Sequence, residues 1–293
     1  MERAADDVTA IVVSHDSAER LPGCIAALAR NGVAAIVVDN SSGDGSATLA
    51  EGRGVRTLRL TTNEGYGRAN NHGVAAAGTA YVLILNPDVE LDEGAVAVLL
   101  AAAGRFPDAG ILAPRIVEPD GRVFFQPRSL LSPNLPNPAG RPCIPDADCC
   151  APFLSGACFM MRRELFLEMG GFDPAIFLFY EDDDLCRRLA DAGFALIHVH
   201  DAVARHLRGG STRRAPGRVF NARWHLAWSR CYAARKYGLP HGALATTALN
   251  AGKALLACLT FRRSLIERYA GSAAGAWAFL RGRTALERQG LRP

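Results

Sequence analysis

Residues 81–90 read Tyr81-Val-Leu-Ile-Leu-Asn-Pro-Asp-Val-Glu90, and this stretch decides which fold we expect. Its apolar run ends at Leu85, which is too short for a core helix but suits a strand buried on both faces. Pro87 lacks an amide hydrogen and has a fixed φ, so the strand should end there in a turn. In open α/β sheets ligands bind beyond the carboxyl ends of the strands, where Asn86 and Asp88 stand.

The pair Asn86 and Asp88 has two interpretations. An amide and a carboxylate two residues apart can hold a divalent cation when a diphosphate supplies the remaining oxygen ligands. Alternatively, the residues form an Asx-Pro turn that caps a helix beginning near Asp92. The stretch alone favours the turn, whereas the motifs elsewhere in the chain favour the cation site.

Strand-like and helix-like segments alternate on both sides of this stretch. The predicted strands cover residues 8–13, 35–38, 55–60, 81–85, 110–114 and 194–199. The predicted helices end near residue 30, begin near residue 46, and cover 68–77, 92–105 and 181–190. Alternation with short connections is typical of βαβ units, so the pattern predicts an α/β protein with a largely parallel sheet.

Charge is distributed unevenly along the 293 residues, whose net charge is only +4. Residues 1–204 contain 16 Lys and Arg against 27 Asp and Glu, whereas residues 205–293 contain 17 against 2. From residue 218 onward only helices are predicted. We therefore expect an α/β domain over residues 1–215 and a basic helical extension over residues 216–293 that meets something anionic.

One predicted helix of the extension has an apolar stripe, formed by Ala245, Leu249, Gly252, Leu256 and Leu259. Asn250 and Lys253 interrupt the run of roughly 20 apolar residues that a bilayer crossing needs, so the helix is amphipathic rather than membrane-spanning. The tryptophans and arginines of the extension suit a membrane interface. A helical cap packed on the α/β domain is the alternative for each of these helices.

Acidic residues open the helix predicted over 181–190: they are Glu181, Asp182, Asp183 and Asp184. Asp183 has Arg187 four residues later, which is an ion-pair spacing on a helix, and Asp184 has Arg188 at the same spacing. Asp182 has no such partner and shares the apolar stripe of Leu185 and Leu189. Burial and neighbouring carboxylates should raise the pKa of Asp182, which would suit a general base.

Two further features bear on chemistry and location. His206 follows the last predicted strand and precedes Gly209-Gly210-Ser211, so it is a candidate to complete a metal site with Asp88. The amino terminus is acidic and lacks the basic-then-apolar layout of a signal peptide, which indicates a cytoplasmic protein. Eight cysteines without an export signal are then expected to be reduced thiols.

Seven motifs occur in one order along the chain: Asp39-Asn-Ser-Ser42, Asn63-Glu-Gly-Tyr-Gly-Arg-Ala-Asn-Asn-His-Gly73, Leu85-Asn-Pro-Asp88, Gly156-Ala157, Gly170-Gly-Phe-Asp173, Tyr180-Glu-Asp-Asp-Asp-Leu-Cys186 and His206. In this order they resemble the family 2 glycosyltransferases, and among them the bacterial rhamnosyltransferase-like branch. The resemblance covers roughly residues 8–211. It implies a GT-A fold, which is Rossmann-like with a mixed central sheet and flanking helices, and a helical carboxyl-terminal extension.

The resemblance also implies an inverting transfer of sugar from a nucleotide-diphosphate sugar to a hydroxyl acceptor. The donor would be dTDP-rhamnose or a UDP-sugar. The acceptor would be lipid-linked, such as a polyprenyl diphosphate, or a precursor of a cell-surface polysaccharide. A peripheral contact of the basic helices with the inner face of the cell membrane fits this reading, and a homodimer is left open.

Roles for single residues follow from the same resemblance. Asp182 matches the catalytic base, and Asp88 would bind Mg²⁺ or Mn²⁺ with His206 as the second ligand or as a diphosphate contact. The residues implied in binding the nucleotide sugar are Ser14, His15, Asp39, Asn63, Arg68, Asn86, Pro87, Asp88 and Gly156. Asn86 departs from the family, where a carboxylate is common, and Asp183 stands where relatives often have an apolar residue.

Three other classes of protein share part of this sequence pattern. A dinucleotide oxidoreductase shares the sheet pattern, but the first strand leads into Ser14-His-Asp-Ser-Ala18 without the Gly-x-Gly-x-x-Gly fingerprint. A nucleic-acid-binding protein would suit the basic extension, yet its arginines lack an aromatic-interleaved recognition motif. A non-catalytic nucleotide-sugar-binding or scaffold protein stays open, although Asp39, Asp88 and Asp182 are all present.

Overall fold

The structure, a computed structural model, describes residues 6–126, 129–132, 144–207 and 217–292. Its strands are β1 Val8–Ser14, β2 Ala34–Asp39, β3 Arg56–Arg59, β4 Tyr81–Leu85, β5 Val89–Leu91, β6 Ala109–Val117, β7 Val123–Phe124, β8 Cys149–Cys150, β9 Cys158–Arg162 and β10 Ala195–His206. Its helices are α1 Leu21–Arg30, α2 Ser46–Glu51, α3 Tyr66–Ala76, α4 Ala95–Arg105, α5 Arg163–Glu168, α6 Glu181–Asp191, α7 Arg218–Lys236, α8 Ala243–Cys258 and α9 Arg263–Leu280, followed by a 3₁₀ turn Glu287–Gln289.

A mixed sheet organises the first part of the chain, in the strand order β3-β2-β1-β4-β9-β6-β10-β5. Strands β3, β2, β1 and β4 are parallel, as the βαβ pattern predicted. Strand β9 then runs antiparallel to β4 and β6, and β10 runs parallel to β6. The antiparallel strand makes the sheet mixed, which confirms the predicted fold class.

The central strands separate two apolar cores, because successive side chains of a strand point to opposite faces. Leu83 and Leu85 of β4 lie in the core covered by α1 and α4. Ile84 lies in the other core, under α3 and α6. All three side chains are fully buried, as the short apolar run around them predicted. The carboxyl end of β4 therefore occupies a fixed position in the middle of the sheet.

Two predicted element boundaries are wrong in ways that matter for the site. The helix expected from Asp92 begins at Ala95, and its N-cap is Gly94 with φ of 82° rather than an Asx-Pro cap. Strand β5 fills the interval and pairs antiparallel with β10. The last predicted strand does not end near residue 199 but continues to His206, because its second half pairs with β6 and β5. Gly209-Gly210-Ser211 and the proposed boundary after residue 215 lie outside the described residues.

The helical extension is attached to the α/β domain through a shared apolar core and ion pairs. Trp224 and Trp228 of α7 pack in one cluster with Phe177, which precedes α6. Lys236 at the end of α7 lies 2.6 Å from Asp184 of α6, whose side chain is completely buried. Helix α7 therefore supports the amino-terminal turn of α6, where the predicted base is found. The division into units 1–215 and 216–293 stays a prediction.

Helix α9 approaches α7 closely at two glycines, Gly271 and Gly275. A Cβ atom on Gly275 would overlap the backbone oxygen of Trp224. We expect Gly275→Ala to lower the free energy of unfolding by about 1–3 kcal/mol, because overpacking forces the two helices apart. Urea unfolding of both proteins measures the difference. The matched control is Gly252→Ala in α8, where a Cβ meets no atom within 4 Å, so stability should stay equal or rise by up to about 1 kcal/mol.

No helix in the described ranges is both long and apolar enough to cross a bilayer. Helix α8 nevertheless turns its apolar stripe outward, with Leu249 and Leu256 about two-thirds exposed. Its polar residues Thr247 and Asn250 are part-buried and donate to backbone oxygens of their own helix. The predicted amphipathic pattern is thus present, with the apolar side facing away from the protein.

Candidate functional site

Buried polar atoms without partners mark the carboxyl ends of β1 and β2. Asp39, at the end of β2, is buried, and its Oδ2 accepts a hydrogen bond from the Ser42 amide at 3.2 Å. Its Oδ1 has no partner among the described residues, and neither has the hydroxyl of Ser14 beside it on β1. Because an unpaired buried acceptor costs free energy, these atoms are suited to accept a hydrogen bond from a ligand.

His15 is held beside Asp39 by a network of two asparagines. Its Nδ1 lies 2.9 Å from the backbone oxygen of Asn40, and its Nε2 lies 3.2 Å from Nδ2 of Asn63. Asn40 in turn donates to Asn63 Oδ1 at 2.9 Å. The structure therefore brings His15 and Asn63 together, as candidate nucleotide contacts require. Asn40 was given no role from the sequence, although it follows Asp39 directly.

The turn Asn86-Pro87-Asp88 joins β4 to β5. The Val89 amide donates to the Asn86 oxygen at 3.1 Å, and the Asn86 amide donates to Ala157 at 2.9 Å. Pro87 is buried and fixes the backbone between the two polar side chains. Asp88 consequently lies directly before strand β5 and next to β10.

Asp88 and His206 meet because β5 pairs with the end of β10, where Val89 opposes His206. His206 Nε2 lies 3.3 Å from Asp88 Oδ1, and that oxygen has no hydrogen-bond partner among the described residues. A buried carboxylate with a free oxygen beside an imidazole nitrogen fits a divalent cation. Over the described ranges no group of three or more His, Cys, Asp or Glu forms a metal cluster, so further ligands would have to come from a diphosphate or water.

Asp182 lies in the first turn of α6 and is fixed by two backbone amides. Its Oδ2 accepts from Gly156 at 2.8 Å, and its Oδ1 accepts from Asp183 at 3.0 Å. Gly156 packs tightly against Asp182, because a Cβ there would lie 3.1 Å from that of Asp182 and the aspartate would have to move by a few tenths of an ångström. Burial raises the pKa of Asp182, and the two amide hydrogen bonds oppose that rise. The predicted direction of the pKa shift is confirmed.

The neighbours of Asp182 differ from the predicted ion pairs. Asp184 pairs with Arg188 at 2.9 Å, as expected, but Arg187 pairs with Asp191 instead of Asp183. Asp183 accepts a hydrogen bond from the Ser129 hydroxyl. The prediction failed because Asp183 points toward the segment that contains Ser129, while Arg187 turns toward Asp191. Burial first, and then the charge of Asp182, raise the pKa of Asp183 to about 7.

A cleft of about 590 Å³ extends from Asp182 to Asn86 and His206. Its walls include Tyr66, Asn86, Gly156, Asp182 and His206. Tyr66 donates its hydroxyl to the Gly156 oxygen at 2.8 Å and was missed from the sequence, although it lies within the quoted Gly-Tyr-Gly motif. The predicted base and the predicted diphosphate side therefore face one space.

Two residues before Asp182 have an unusual backbone. Phe179 and Tyr180 have φ of 67° and 71°, a left-handed conformation that is uncommon for bulky side chains. Both line the cleft, and Tyr180 is the N-cap of α6. Such strain is often kept at functional sites, where it aims a side chain. Nothing in the sequence indicated it.

Arg68 is found elsewhere. Its Nε donates to the Pro174 oxygen at 2.8 Å, and it lines a separate depression beside α7 and α9. It is not among the residues of the 590 Å³ cleft. The structure thus gives Arg68 a contact between α3 and the loop before α6, while its implied role in binding the nucleotide sugar stays a prediction.

The raised pKa of Asp183 predicts how stability depends on pH. The folded state binds this proton more tightly than the unfolded state, so the contribution is fully present below about pH 4 and is lost as pH rises toward about 7. Asp183→Asn should therefore be more stable than the parent at pH 8, by an amount on the order of 1–3 kcal/mol. The difference should shrink at pH 5. Urea unfolding at both pH values tests this, and a variant less stable at pH 8 would contradict it.

Comparison with known proteins places this chain among the glycosyltransferases. The family model described as Glycosyl transferase family 2 matches residues 9–170. An N-acetylglucosaminyl-diphospho-decaprenol L-rhamnosyltransferase of Mycobacterium tuberculosis is 31% identical over 259 residues, covering 72% of this chain and 82% of the relative.

Solved structures show the same architecture. The mannosyltransferase PcManGT of Pyrobaculum calidifontis, in complex with GDP-Man and Mn²⁺, matches with a TM-score of 0.58 and 17% identity over 94% of this chain and 87% of that chain. GalNAc-T7 with UDP, GalNAc and Mn²⁺ matches with a TM-score of 0.57 and 17% identity over 71% of this chain and 44% of that chain. At these identities the likeness concerns the fold, which is GT-A.

Proposed function

The chain belongs to glycosyl transferase family 2, and on that premise we propose that it moves a sugar from a nucleotide-diphosphate sugar to an acceptor hydroxyl with inversion at the anomeric carbon. The observation that carries the proposal is the shared cleft, in which Asp182 lies with Asn86 and His206. Asp88 lies directly behind His206 at 3.3 Å. A base and a diphosphate-binding side on one cavity are what such a displacement requires.

Asp182 is proposed as the general base. The acceptor oxygen forms a bond to the anomeric carbon as the bond from that carbon to the diphosphate oxygen breaks, and Asp182 receives the hydroxyl proton. Its two amide hydrogen bonds hold the carboxylate in one orientation. Burial raises its pKa, which makes it a better proton acceptor than a solvated aspartate.

Asp88 and His206 are the proposed holders of Mg²⁺ or Mn²⁺. A cation bound there would supply positive charge beside the departing diphosphate. The buried Asp88 Oδ1 supports this, since it accepts no hydrogen bond from the described residues and has the His206 imidazole 3.3 Å away. Asn86 adds a neutral amide to the wall of the cleft, and Pro87 fixes the backbone conformation of the turn.

The nucleotide is proposed to bind at the ends of β1 and β2. Asp39 Oδ1 is free to accept a hydrogen from the ring nitrogen of uracil or thymine. Ser14, His15 and Asn63 would then contact the nucleoside, supported by the network through Asn40. The proposed donors are dTDP-rhamnose and UDP-sugars.

The proposed acceptor is lipid-linked, such as a polyprenyl diphosphate sugar, or another precursor of a cell-surface polysaccharide. The rhamnosyltransferase relative, whose printed name includes a decaprenol diphosphate, supports this choice. Incubation of the protein with each donor, Mn²⁺ and a polyprenyl-diphosphate-linked acceptor should give one glycosylated product. Its anomeric configuration by NMR should be opposite to that of the donor, and retention would contradict the proposal.

A non-catalytic nucleotide-sugar-binding protein is the second candidate, because the cleft alone would also bind a donor. Thermal-shift measurements with and without Mn²⁺ identify a bound donor under either function. Turnover separates the two. Binding of a donor without transfer or hydrolysis, under conditions in which the metal is bound, would favour the non-catalytic protein.

The extension is proposed to bring the enzyme to the cytoplasmic face of the membrane that carries the acceptor. Residues 217–292 contain 13 Lys and Arg against 2 Asp and Glu, which favours an anionic surface. The contact would be peripheral. A homodimer is the alternative use of this surface.

A further inference from the structure

The outer side of α8 is an apolar surface without a partner in the described chain. We call it the leucine face, and it consists of Leu244, Leu249, Leu255, Leu256 and Leu259, which are 64–77% exposed. Lys253 is the charged residue of α8, and it lies at the edge of this face, 5.9 Å from the ring of Tyr269 on α9. Contiguous exposed apolar surface of this kind usually marks an interaction site.

A basic cavity lies beside the same helices. It measures about 730 Å³, and we call it the arginine cavity. Its walls include Trp224, Trp277, Arg281, Arg283, Glu287 and Arg288. The cavity lies between α7, α9 and the 3₁₀ turn, and it shares no lining residue with the cleft that contains Asp182.

The arginine cavity is lined by three arginines and by one carboxylate, that of Glu287. None of its three arginines has an ion-pair partner among the described residues. The carboxylate of Glu287 accepts the Thr284 amide at 2.9 Å and caps the 3₁₀ turn. Arg288 lies over the ring of Trp224 at 4.6 Å and donates to Asn221 at 2.6 Å, so its guanidinium is held in place. A fixed arginine beside the exposed Arg281 and Arg283 suits a phosphate, which guanidinium groups bind through paired hydrogen bonds.

One end of the leucine face lies at about the same height as the arginine cavity. Helices α8 and α9 form a hairpin in which Lys253 lies 5.9 Å from the ring of Tyr269. Leu244 precedes Lys253 by about 13.5 Å along α8, and Trp277 follows Tyr269 by about 12 Å along α9, at roughly 1.5 Å per residue. The half-exposed Trp277, which lines the cavity, is therefore near the height of Leu244 on the hairpin.

We propose that the arginine cavity binds the phosphate headgroup of an anionic lipid while the leucine face lies in the interfacial layer of a bilayer. Leucines that enter this layer, a tryptophan at its boundary and arginines at the headgroups are the arrangement of peripheral membrane helices. A second copy of the chain fits the leucine face less well. Pairing two extensions, each with 13 basic against 2 acidic residues, would bring like charges together.

The inference rests on the proposed membrane contact and makes it specific, but it is tested without donor or acceptor. Cosedimentation of the full chain with phosphatidylcholine vesicles, with and without phosphatidylglycerol, measures binding. We expect binding to need the anionic lipid. The double variant Arg281→Gln/Arg283→Gln should bind roughly a few hundredfold more weakly, because the paired hydrogen bonds to the phosphate are lost in addition to the general attraction, which is worth about a factor of five per basic residue.

Matched variants decide between the cavity and diffuse charge. Arg262→Gln/Arg268→Gln removes the same charge from the extension outside the cavity, and it should weaken binding by no more than about thirtyfold, which is the loss of general attraction alone. An equal loss in both double variants would overturn the headgroup site. Leu255→Gln/Leu259→Gln should also weaken vesicle binding, and full binding by that variant would overturn the role of the leucine face.

Two further outcomes concern the occupant. If inorganic phosphate or glycerol phosphate raises the melting temperature through Arg281 and Arg283 while vesicles do not bind, the ligand is a soluble phosphate and the lipid proposal is wrong. If size-exclusion chromatography shows a dimer that Leu255→Gln/Leu259→Gln dissociates, the leucine face is a contact between copies. Vesicle binding can fail while sugar transfer persists, so the proposed function is judged separately.

Discussion

Asp182→Asn is expected to lower the rate of sugar transfer by roughly 10²–10⁴, the usual effect of removing a general base. The substitution keeps the size of the side chain and one oxygen that can accept from Gly156 or Asp183. It also removes a charge from a half-buried position, where burial raises the pKa of the carboxyl, so folding should not suffer. Nucleotide affinity should stay unchanged, because the nucleotide is proposed to bind at Asp39 at the end of β2, whereas Asp182 lies on α6.

The matched control is Asp183→Asn, the same chemical change at the next position of α6. Asp183 bonds to Ser129 rather than to the Gly156 amide, and its loss should reduce the rate by no more than about tenfold. Single-turnover rates and nucleotide titrations of both variants test the assignment. In the parent the rate should fall as pH drops through the apparent pKa of the carboxylate cluster, because a protonated base cannot accept a proton. Near-normal turnover by Asp182→Asn would show that another group is the base.

Asp88→Asn is expected to reduce transfer by roughly 10²–10⁴, because charge stabilisation by a bound cation is worth several kcal/mol. The amide is a neutral and weaker ligand than the carboxylate. Donor binding should lose any dependence on Mn²⁺, since Asp88 is proposed to hold the cation beside the diphosphate. The readouts are the transfer rate and the donor-induced thermal shift, each measured across a Mn²⁺ titration.

Asp92→Asn provides the control on the same pair of strands. Asp92 is exposed and pairs with Arg205 of β10 at 2.7 Å, so this variant removes one carboxylate near β5 without touching the cleft. Its metal titration should match that of the parent. If Asp88→Asn keeps a Mn²⁺-stimulated rate similar to that of Asp92→Asn, the metal site is not at Asp88. His206→Asn should weaken metal binding as well if both residues are ligands.

The predictable part of the fold came from local signals. The strand at 81–85, the proline in the first turn of α1 and the buried alternation of the sheet follow from sequence periodicity and from the backbone restrictions of proline. The boundaries near β5 and β10 were missed. Strand β5 has only three residues, and its pairing with β10 comes from far along the chain. Short strands of this kind carry no periodic signal of their own.

The candidate site shows the same division. The carboxylate Asp182 was chosen because it lacked an arginine at helical spacing, and its raised pKa agrees with that choice. The pairing of Asp183 with Arg187 was wrong because helical spacing says only which residues are near. Ser129 and Asp191 compete for the two side chains, and their positions depend on segments distant in sequence.

Residue type, period and spacing by themselves predicted an α/β fold and the positions of the polar motifs after its strands, and the order of those motifs indicated the family, and with it the GT-A fold, by resemblance. Only the tertiary structure decided that Asp88 meets His206, that Gly156 packs tightly against Asp182, and that the apolar side of α8 faces outward. Each of these is a contact, or the absence of one, between segments far apart in the chain. Their distances are set by the packing of the whole sheet and its helices, which no local pattern specifies.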